Sequence, residues 1–140
     1  MRARHHVGPC GRATAGFLAL VLWAIPVVAS HGPDATILTV KAAYVRRLLE
    51  ARERVVLIDL RPAGDYEKGR LPGARSVPAG ELRRRQEEIP KAGLVVLYCA
   101  CPLEELRELY MFLRERGYRN VVVMDEGFAG WADRGYPLEP

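Results

Sequence analysis

Residues 94–117, LVVLYCACPLEELRELYMFLRERG, contain a strand, a short loop and a helix in immediate succession. Leu94–Tyr98 is a continuous apolar run, which is typical of a strand buried on both faces of a sheet. Beyond the loop, apolar residues recur at helical spacing until Gly117, namely Leu106, Leu109, Tyr110 and Leu113. This order predicts a buried strand that feeds directly into a helix packed on the sheet.

Working outward, the rest of the chain repeats the same alternation of strands and helices. Residues 55–58 and Val121–Met124 are further apolar runs, whereas 37–40 and 75–77 are shorter and weaker candidates for edge strands. Residues 41–54 carry an apolar stripe at helical spacing. Strands that alternate with helices predict an α/β fold with a parallel sheet covered by helices on both faces.

The amino-terminal segment, residues 1–29, is predicted to be a signal peptide. Three arginines precede an apolar run, 15–29, which ends in small residues, so we expect cleavage between Ala29 and Ser30. An uncleaved anchor is the alternative, but the run is shorter than the ~20 residues that a spanning helix needs and it contains Pro26. The sequence thus predicts a periplasmic or secreted protein with no stable membrane span.

Residues 30–140 form one domain's length of chain, enough to bury a core without metals or disulfide staples. The net charge of +4 belongs mainly to the segment before residue 30, because removing its three arginines leaves +1. Nucleic-acid binding requires a basic face on the folded domain, and no such face is indicated.

Two segments carry a resemblance to a known family. Residues 55–80, VVLIDLRPAGDYEKGRLPGARSVPAG, resemble the first rhodanese signature, and residues 124–140, MDEGFAGWADRGYPLEP, resemble the second. With Cys99 after the central strand, the resemblance to the rhodanese-like (sulfurtransferase) superfamily covers residues 36–140. It implies a five-stranded parallel sheet with helices on both faces. It also implies a sulfurtransferase or sulfane-sulfur carrier that works through a cysteine persulfide, with a small sulfur donor, a thiol acceptor and a partner protein as a further acceptor.

The signature residues Asp59, Arg61 and Asp65 have two interpretations. Arg61 is a candidate substrate-binding residue, but the preferred interpretation is a buried ion-pair and hydrogen-bond network of all three residues that supports the loops. Trp131 is expected in the core rather than in the site.

The loop after the central strand carries the expected chemistry. Cys99 is the candidate nucleophile and Cys101 the candidate resolving thiol, with Ala100, Leu103 and Glu104 as candidate substrate-binding residues. Backbone N–H groups and the positive end of the following helix are expected to stabilise the thiolate, and Cys101 is expected to cap that helix. No cofactor or metal is predicted, and no histidine is placed to act as a base.

The same loop leaves two alternatives open. It lacks the arginines and the glycine of the Cys-Arg-x-Gly-x-Arg type, which favours a non-catalytic rhodanese-like domain used for binding or regulation. The Cys-x-Cys spacing also permits thiol-disulfide exchange through Cys99 and Cys101. Anionic donors are expected to react slowly because Glu104 and Glu105 follow the cysteines.

Overall fold

The chain builds a parallel sheet whose central strands are the apolar runs of the sequence. A computed structural model describes residues 36–140. Its strands are β1 Thr39–Val40, β2 Val55–Asp59, β3 Arg75–Ser76, β4 Leu94–Tyr98 and β5 Val121–Met124. They lie in the order β1-β5-β4-β2-β3, and every pairing is parallel. The predicted five-stranded parallel sheet is confirmed.

Each strand of the described region is followed by a helix. The helices are α1 Ala42–Glu50, α2 Ala63–Lys68, α3 Leu82–Arg85 with a 3-10 turn at Gln86–Glu88, α4 Leu103–Glu115 and α5 Gly127–Ala132. Helices α1 to α4 connect successive strands, and α5 follows the last one. The apolar stripes predicted α1 and α4. They did not predict α2 and α5, which have six residues each and are too short to show a helical repeat.

Side chains of the central strands alternate between two apolar clusters, one on each face of the sheet. One cluster joins β2, β4 and β5 to α3 and α4: Ile58, Val95, Leu97, Val123, Leu82, Leu106 and Leu113. The other joins the same strands to α1 and α5: Leu57, Val96, Tyr98, Met124, Ala42, Val45 and Trp131. Burial on both faces explains why the strands read as continuous apolar runs, and Trp131 is in the core as predicted.

Glu126 stabilises the amino-terminal end of α1 from a distant part of the chain. Its Oε2 accepts a hydrogen bond from the Ala42 N–H at 2.6 Å, and its other oxygen pairs with Arg134. The N-cap residue of α1, Lys41, makes no side-chain cap of its own and instead forms an ion pair with Asp125. A carboxylate at the positive end of a helix satisfies an otherwise unpaired amide, so Glu126 ties α1 to the start of α5.

The predicted signal peptide, residues 1–29, lies outside the described residues, and it stays a prediction. Within residues 36–140, none of the helices combines the length and the apolar character that crossing a bilayer requires.

Candidate active site

Cys99 immediately follows β4 at the carboxyl edge of the sheet. Because side chains alternate along a strand, Tyr98 points to the α1 and α5 face while Cys99 joins the apolar cluster against α4. Only 5% of the Cys99 surface is exposed. The sulfur of this residue therefore lies at the base of its loop, where it is largely shielded from water.

A cleft of about 560 Å³ opens onto the two loop cysteines. It lies between the segments that follow β2, β3 and β4, three strands that are neighbours in the sheet. Its lining residues are Leu60, Pro62, Pro78, Ala79, Gly80, Glu81, Cys99, Cys101 and Glu105. The carboxyl edge of a parallel sheet is where α/β proteins bind their ligands, and this cleft is consequently the candidate active site. Another concavity, of about 510 Å³, is lined by Arg54, Val55 and Gly93 among others, and it contains no cysteine.

The two loop cysteines are joined in a disulfide across a Cα–Cα distance of 5.3 Å. The Cys101 N–H also donates a hydrogen bond to the Cys99 Sγ at 3.2 Å. Reduction of this bond is required before either sulfur can act as a thiolate. The expectation that Cys101 caps α4 was wrong: Pro102 occupies the N-cap position without a side-chain cap, and the Cys101 sulfur bonds to Cys99 instead.

The first turn of α5 holds the backbone of the cysteine loop in place through a hydrogen bond. The Phe128 N–H donates a hydrogen bond to the Cys99 carbonyl oxygen at 2.8 Å. Gly127 lies in the left-handed region with φ +58°, and a Cβ atom on it would overlap that same carbonyl oxygen. Glycine is required here for both reasons, since it adopts positive φ readily and has no Cβ atom to overlap the Cys99 carbonyl.

Gly127→Ala is expected to lower the free energy of unfolding by about 2 to 4 kcal/mol and to displace the cysteine loop, because backbone strain and overlap with Cys99 act together. Gly135→Ala is the matched control. Gly135 also has positive φ, +63°, but a Cβ there meets nothing within 4 Å, so only the strain remains. Denaturant unfolding measures the loss of stability, and the alkylation rate of reduced Cys99 reports the displacement of the cysteine loop. Equal losses in both variants would show that Gly127 does not support the loop.

A buried ion pair between Asp59 and Arg61 lies on the same face of the sheet as Tyr98. Asp59 is fully buried, Arg61 is 4% exposed, and Arg61 Nη2 lies 2.6 Å from Asp59 Oδ2. The Arg61 backbone N–H and its Nε also donate to this carboxylate, and Tyr98 donates its hydroxyl at 2.6 Å. Arg61 Nη2 reaches the Gly69 carbonyl as well, at 2.7 Å. The pair therefore joins the ends of β2 and β4 to the segment before β3.

Protonation states in this network follow from its burial. Burial raises the pKa of the Tyr98 hydroxyl far above its ordinary value, and the hydrogen bond to Asp59 raises it further. Burial alone would lower the pKa of the Arg61 guanidinium, but its hydrogen bonds and charge interaction with Asp59 outweigh this and raise it. Tyr98 is accordingly a neutral hydrogen-bond donor, and Arg61 keeps its positive charge.

Asp65 was wrongly expected in this network. Its carboxylate pairs with Lys68 at 3.1 Å on the surface, where 48% of the Asp65 side chain is exposed. Asp65 belongs to α2 and lines the same groove as Arg61, but it makes no hydrogen bond or ion pair with Arg61 or Asp59. Such a surface pair contributes little to stability.

The remaining predicted substrate-binding residues are divided among several surfaces. Ala100 and Arg61 line a separate groove of about 340 Å³, together with Lys68 and Phe128. Leu103 and Glu104 are exposed in the first turn of α4, where Glu104 forms an ion pair with Arg107 at 3.4 Å. Of the predicted residues, only the two cysteines line the cleft, and the binding roles of the others stay predictions.

Four residues of the site were absent from the predicted set of site residues, although Glu105 was predicted, with Glu104, to slow anionic donors. Glu81 and Glu105 line the cleft, while Gly127 and Phe128 support the Cys99 carbonyl. Gly127 could be recognised only as a glycine of the second signature. Neither its positive φ nor its contact with Cys99 can be predicted from the neighbouring residues.

Comparison with known proteins agrees with this geometry. Residues 41–134 match the family model described as a rhodanese-like domain, and the chain belongs to that family. Relatives include a "Sulfurtransferase" of Allochromatium vinosum, 31% identical over 61% of this chain and 79% of that protein. A "Thiosulfate sulfurtransferase GlpE" of Actinobacillus succinogenes is also 31% identical, over 62% of this chain and 78% of its own length.

Solved structures give the same result at the level of the fold. The Alr3790 protein of Anabaena sp. is 26% identical with a TM-score of 0.65, and the match covers 71% of this chain and 81% of that one. A thiosulfate sulfurtransferase from Pseudomonas aeruginosa is 28% identical with a TM-score of 0.61, over 74% of this chain. The match spans only 20% of the Pseudomonas chain, which is much longer than this one.

Proposed function

We propose that this protein is a sulfurtransferase or sulfane-sulfur carrier whose Cys99 becomes a persulfide. The observation that carries the proposal is the position of Cys99, at the base of a cleft formed by three strand-to-helix loops, with the Cys101 sulfur within bonding distance. Relatives named as sulfurtransferases support the same chemistry.

The reaction begins from the reduced loop. The Cys99 thiolate attacks the outer sulfur of a donor R–S–SH, the donor's S–S bond breaks, and R–S⁻ leaves while Cys99–S–SH forms. An acceptor thiolate then attacks that outer sulfur and restores the Cys99 thiolate. In a second route, Cys101 attacks the Cys99 Sγ, releases hydrosulfide and forms the Cys99–Cys101 disulfide, which an external thiol must reduce.

Mass spectrometry of the pre-reduced protein after exposure to several sulfur donors tests this proposal. The expected result is a gain of one sulfur atom on the Cys99 peptide with at least one donor, followed by its loss when an acceptor thiol is added. Failure to acquire sulfur from every donor tested would favour a non-catalytic role in binding or regulation.

Thiol-disulfide exchange is the second candidate, and the Cys99–Cys101 disulfide favours it. In this reaction the loop disulfide oxidises a partner dithiol and becomes two thiols, without a persulfide stage. Catalytic turnover of a dithiol substrate by a protein that never acquires sulfur would favour exchange over sulfur transfer.

We also propose export with cleavage after Ala29. The basic residues, the apolar run and the small residues that follow support this assignment. The intact mass of the protein from an envelope fraction is expected to correspond to a chain that starts at Ser30. A chain that keeps residues 1–29 and sediments with membranes would indicate an anchor instead.

A further inference from the structure

The cleft above the cysteines has an unusual charge balance for a protein whose relatives include enzymes named for thiosulfate. Its lining, within the described part of the chain, contains no lysine, arginine or histidine. The ionisable groups besides the cysteines are two carboxylates, Glu81 and Glu105, and the other lining residues are apolar side chains, prolines and a glycine.

The two carboxylates differ in how far neighbouring cations offset them. Glu81 accepts a hydrogen bond from Arg85 Nη1 at 2.9 Å, so its charge is partly balanced. Glu105 forms no ion pair with any other residue between 36 and 140, and it is exposed in the first turn of α4. Glu105 is thus the uncompensated charge of the cleft.

The surface beside the cleft does not reverse this balance. In the adjoining groove, Arg83 is the one basic lining residue among the described ones, against Glu104, Glu105 and Glu108. Its guanidinium stacks 4.5 Å from the centre of the Phe112 ring. A small anion that approaches Cys99 through the cleft or along this adjoining groove therefore passes more carboxylates than basic side chains.

We infer that Glu105 selects the charge of the sulfur substrate: the cleft takes thiol-borne sulfur on a cationic or neutral body, and it disfavours dianions such as thiosulfate. This inference rests on the proposed function, because it names the substrate class of the same site. A cationic persulfide R–S–SH carries its ammonium group in R. When Cys99 attacks the outer sulfur, the S–S bond of the donor breaks and the thiolate R–S⁻ leaves with that ammonium group still beside Glu105.

The first measurement needs no sulfur transfer. In a pre-reduced Cys101→Ser protein, Cys99 is treated with methanethiosulfonates that bear a trimethylammonium, a neutral or a sulfonate group, and each forms a mixed disulfide while methanesulfinate leaves. The expected cation-to-anion rate ratio exceeds that of a neutral free cysteine derivative by about tenfold. Glu105→Gln is expected to reduce this excess at least threefold.

Glu108→Gln is the matched control. Glu108 lies on the same helix and lines the adjoining groove, but it is not part of the cleft, so this variant is expected to lose much less of the excess than Glu105→Gln. High salt is expected to reduce the excess in every variant that retains Glu105.

The second measurement follows the discharge of sulfur from Cys99 persulfide to cysteamine, 2-mercaptoethanol and 2-mercaptoethanesulfonate, with the same variants. In Glu105→Gln, the rate of discharge to cysteamine is expected to fall toward the rate for 2-mercaptoethanesulfonate. The rate for the neutral thiol, 2-mercaptoethanol, is expected to change little. A cation-to-anion rate ratio no larger than that of the free cysteine derivative would overturn the inference. Charge selection by the reagents without persulfide formation from any donor would overturn the proposed function and leave the charge selection of the cleft standing.

Discussion

Cys99→Ser is expected to abolish the uptake of sulfur entirely, a loss beyond the detection limit of the assay. A serine hydroxyl is not ionised at neutral pH and does not form a stable bond to sulfane sulfur. A thiolate is ionised and forms such a bond. Because Cys99 is buried against Leu97 and Leu106, serine in its place also puts a hydroxyl into an apolar cluster. We expect a modest loss of stability of about 1 kcal/mol, which unfolding measurements separate from the loss of chemistry.

Cys101→Ser is the matched comparison for this experiment. It leaves the first sulfur transfer intact, because Cys99 keeps its position at the end of β4, but it removes the intramolecular disulfide. The persulfide of this variant should persist until an external thiol accepts the sulfur. Mass spectrometry of both variants decides the assignment: sulfur found on Cys101 of the Cys99→Ser protein would reverse the roles of the two cysteines.

Arg61→Ala is expected to destabilise the fold by about 3 to 5 kcal/mol, because it leaves the Asp59 carboxylate buried without its counter-charge. Arg61 also stacks 3.7 Å from the centre of the Phe128 ring, so the substitution removes packing next to the support of the cysteine loop. Chemical denaturation at neutral pH measures the loss. A small domain has roughly 5 to 15 kcal/mol of total stability, and this change removes a large part of it.

Lys68→Ala provides the control for the Arg61 experiment. Lys68 lines the same groove as Arg61, but its ion pair with Asp65 is exposed, so the expected change is below about 1 kcal/mol. Sulfur transfer by residual folded Arg61→Ala protein is expected to continue. An Arg61→Ala protein with unchanged melting temperature and no sulfur transfer would instead make Arg61 a substrate-binding residue.

The sequence predicted most of the sheet because its central strands are buried on both faces. Burial on two faces requires apolar residues at every position, and such runs are visible without any partner strand. The edge strands were predicted longer than they are. β1 and β3 pair over two residues each, and their length depends on contacts made with β5 and β2 rather than on their own side chains.

The site was predictable only where chemistry depends on residue type. Cys99 and Cys101 could be identified because two cysteines one residue apart cannot cross-link distant segments, and because the family resemblance places Cys99 after the central strand. Glu81 was not selected, because it lies beside a charged segment, where carboxylates are ordinary. Glu105 was predicted only to slow anionic donors, and not to line the site, because carboxylates are also ordinary in the first turn of a helix. Their place in a common cleft arises from the packing of three loops, which no local pattern encodes.

The contact between α5 and the Cys99 carbonyl has a consequence for the order of events during synthesis. The ribosome makes the cysteine loop 28 positions before Gly127, so both thiols emerge before the segment that supports their backbone. Until that segment docks, the nascent chain carries two neighbouring sulfurs on an unsupported loop, open to mispairing with other thiols. Maturation of the reactive centre is therefore a late event, and a polypeptide interrupted before Gly127 would retain both cysteines but not the arrangement that directs their reactivity.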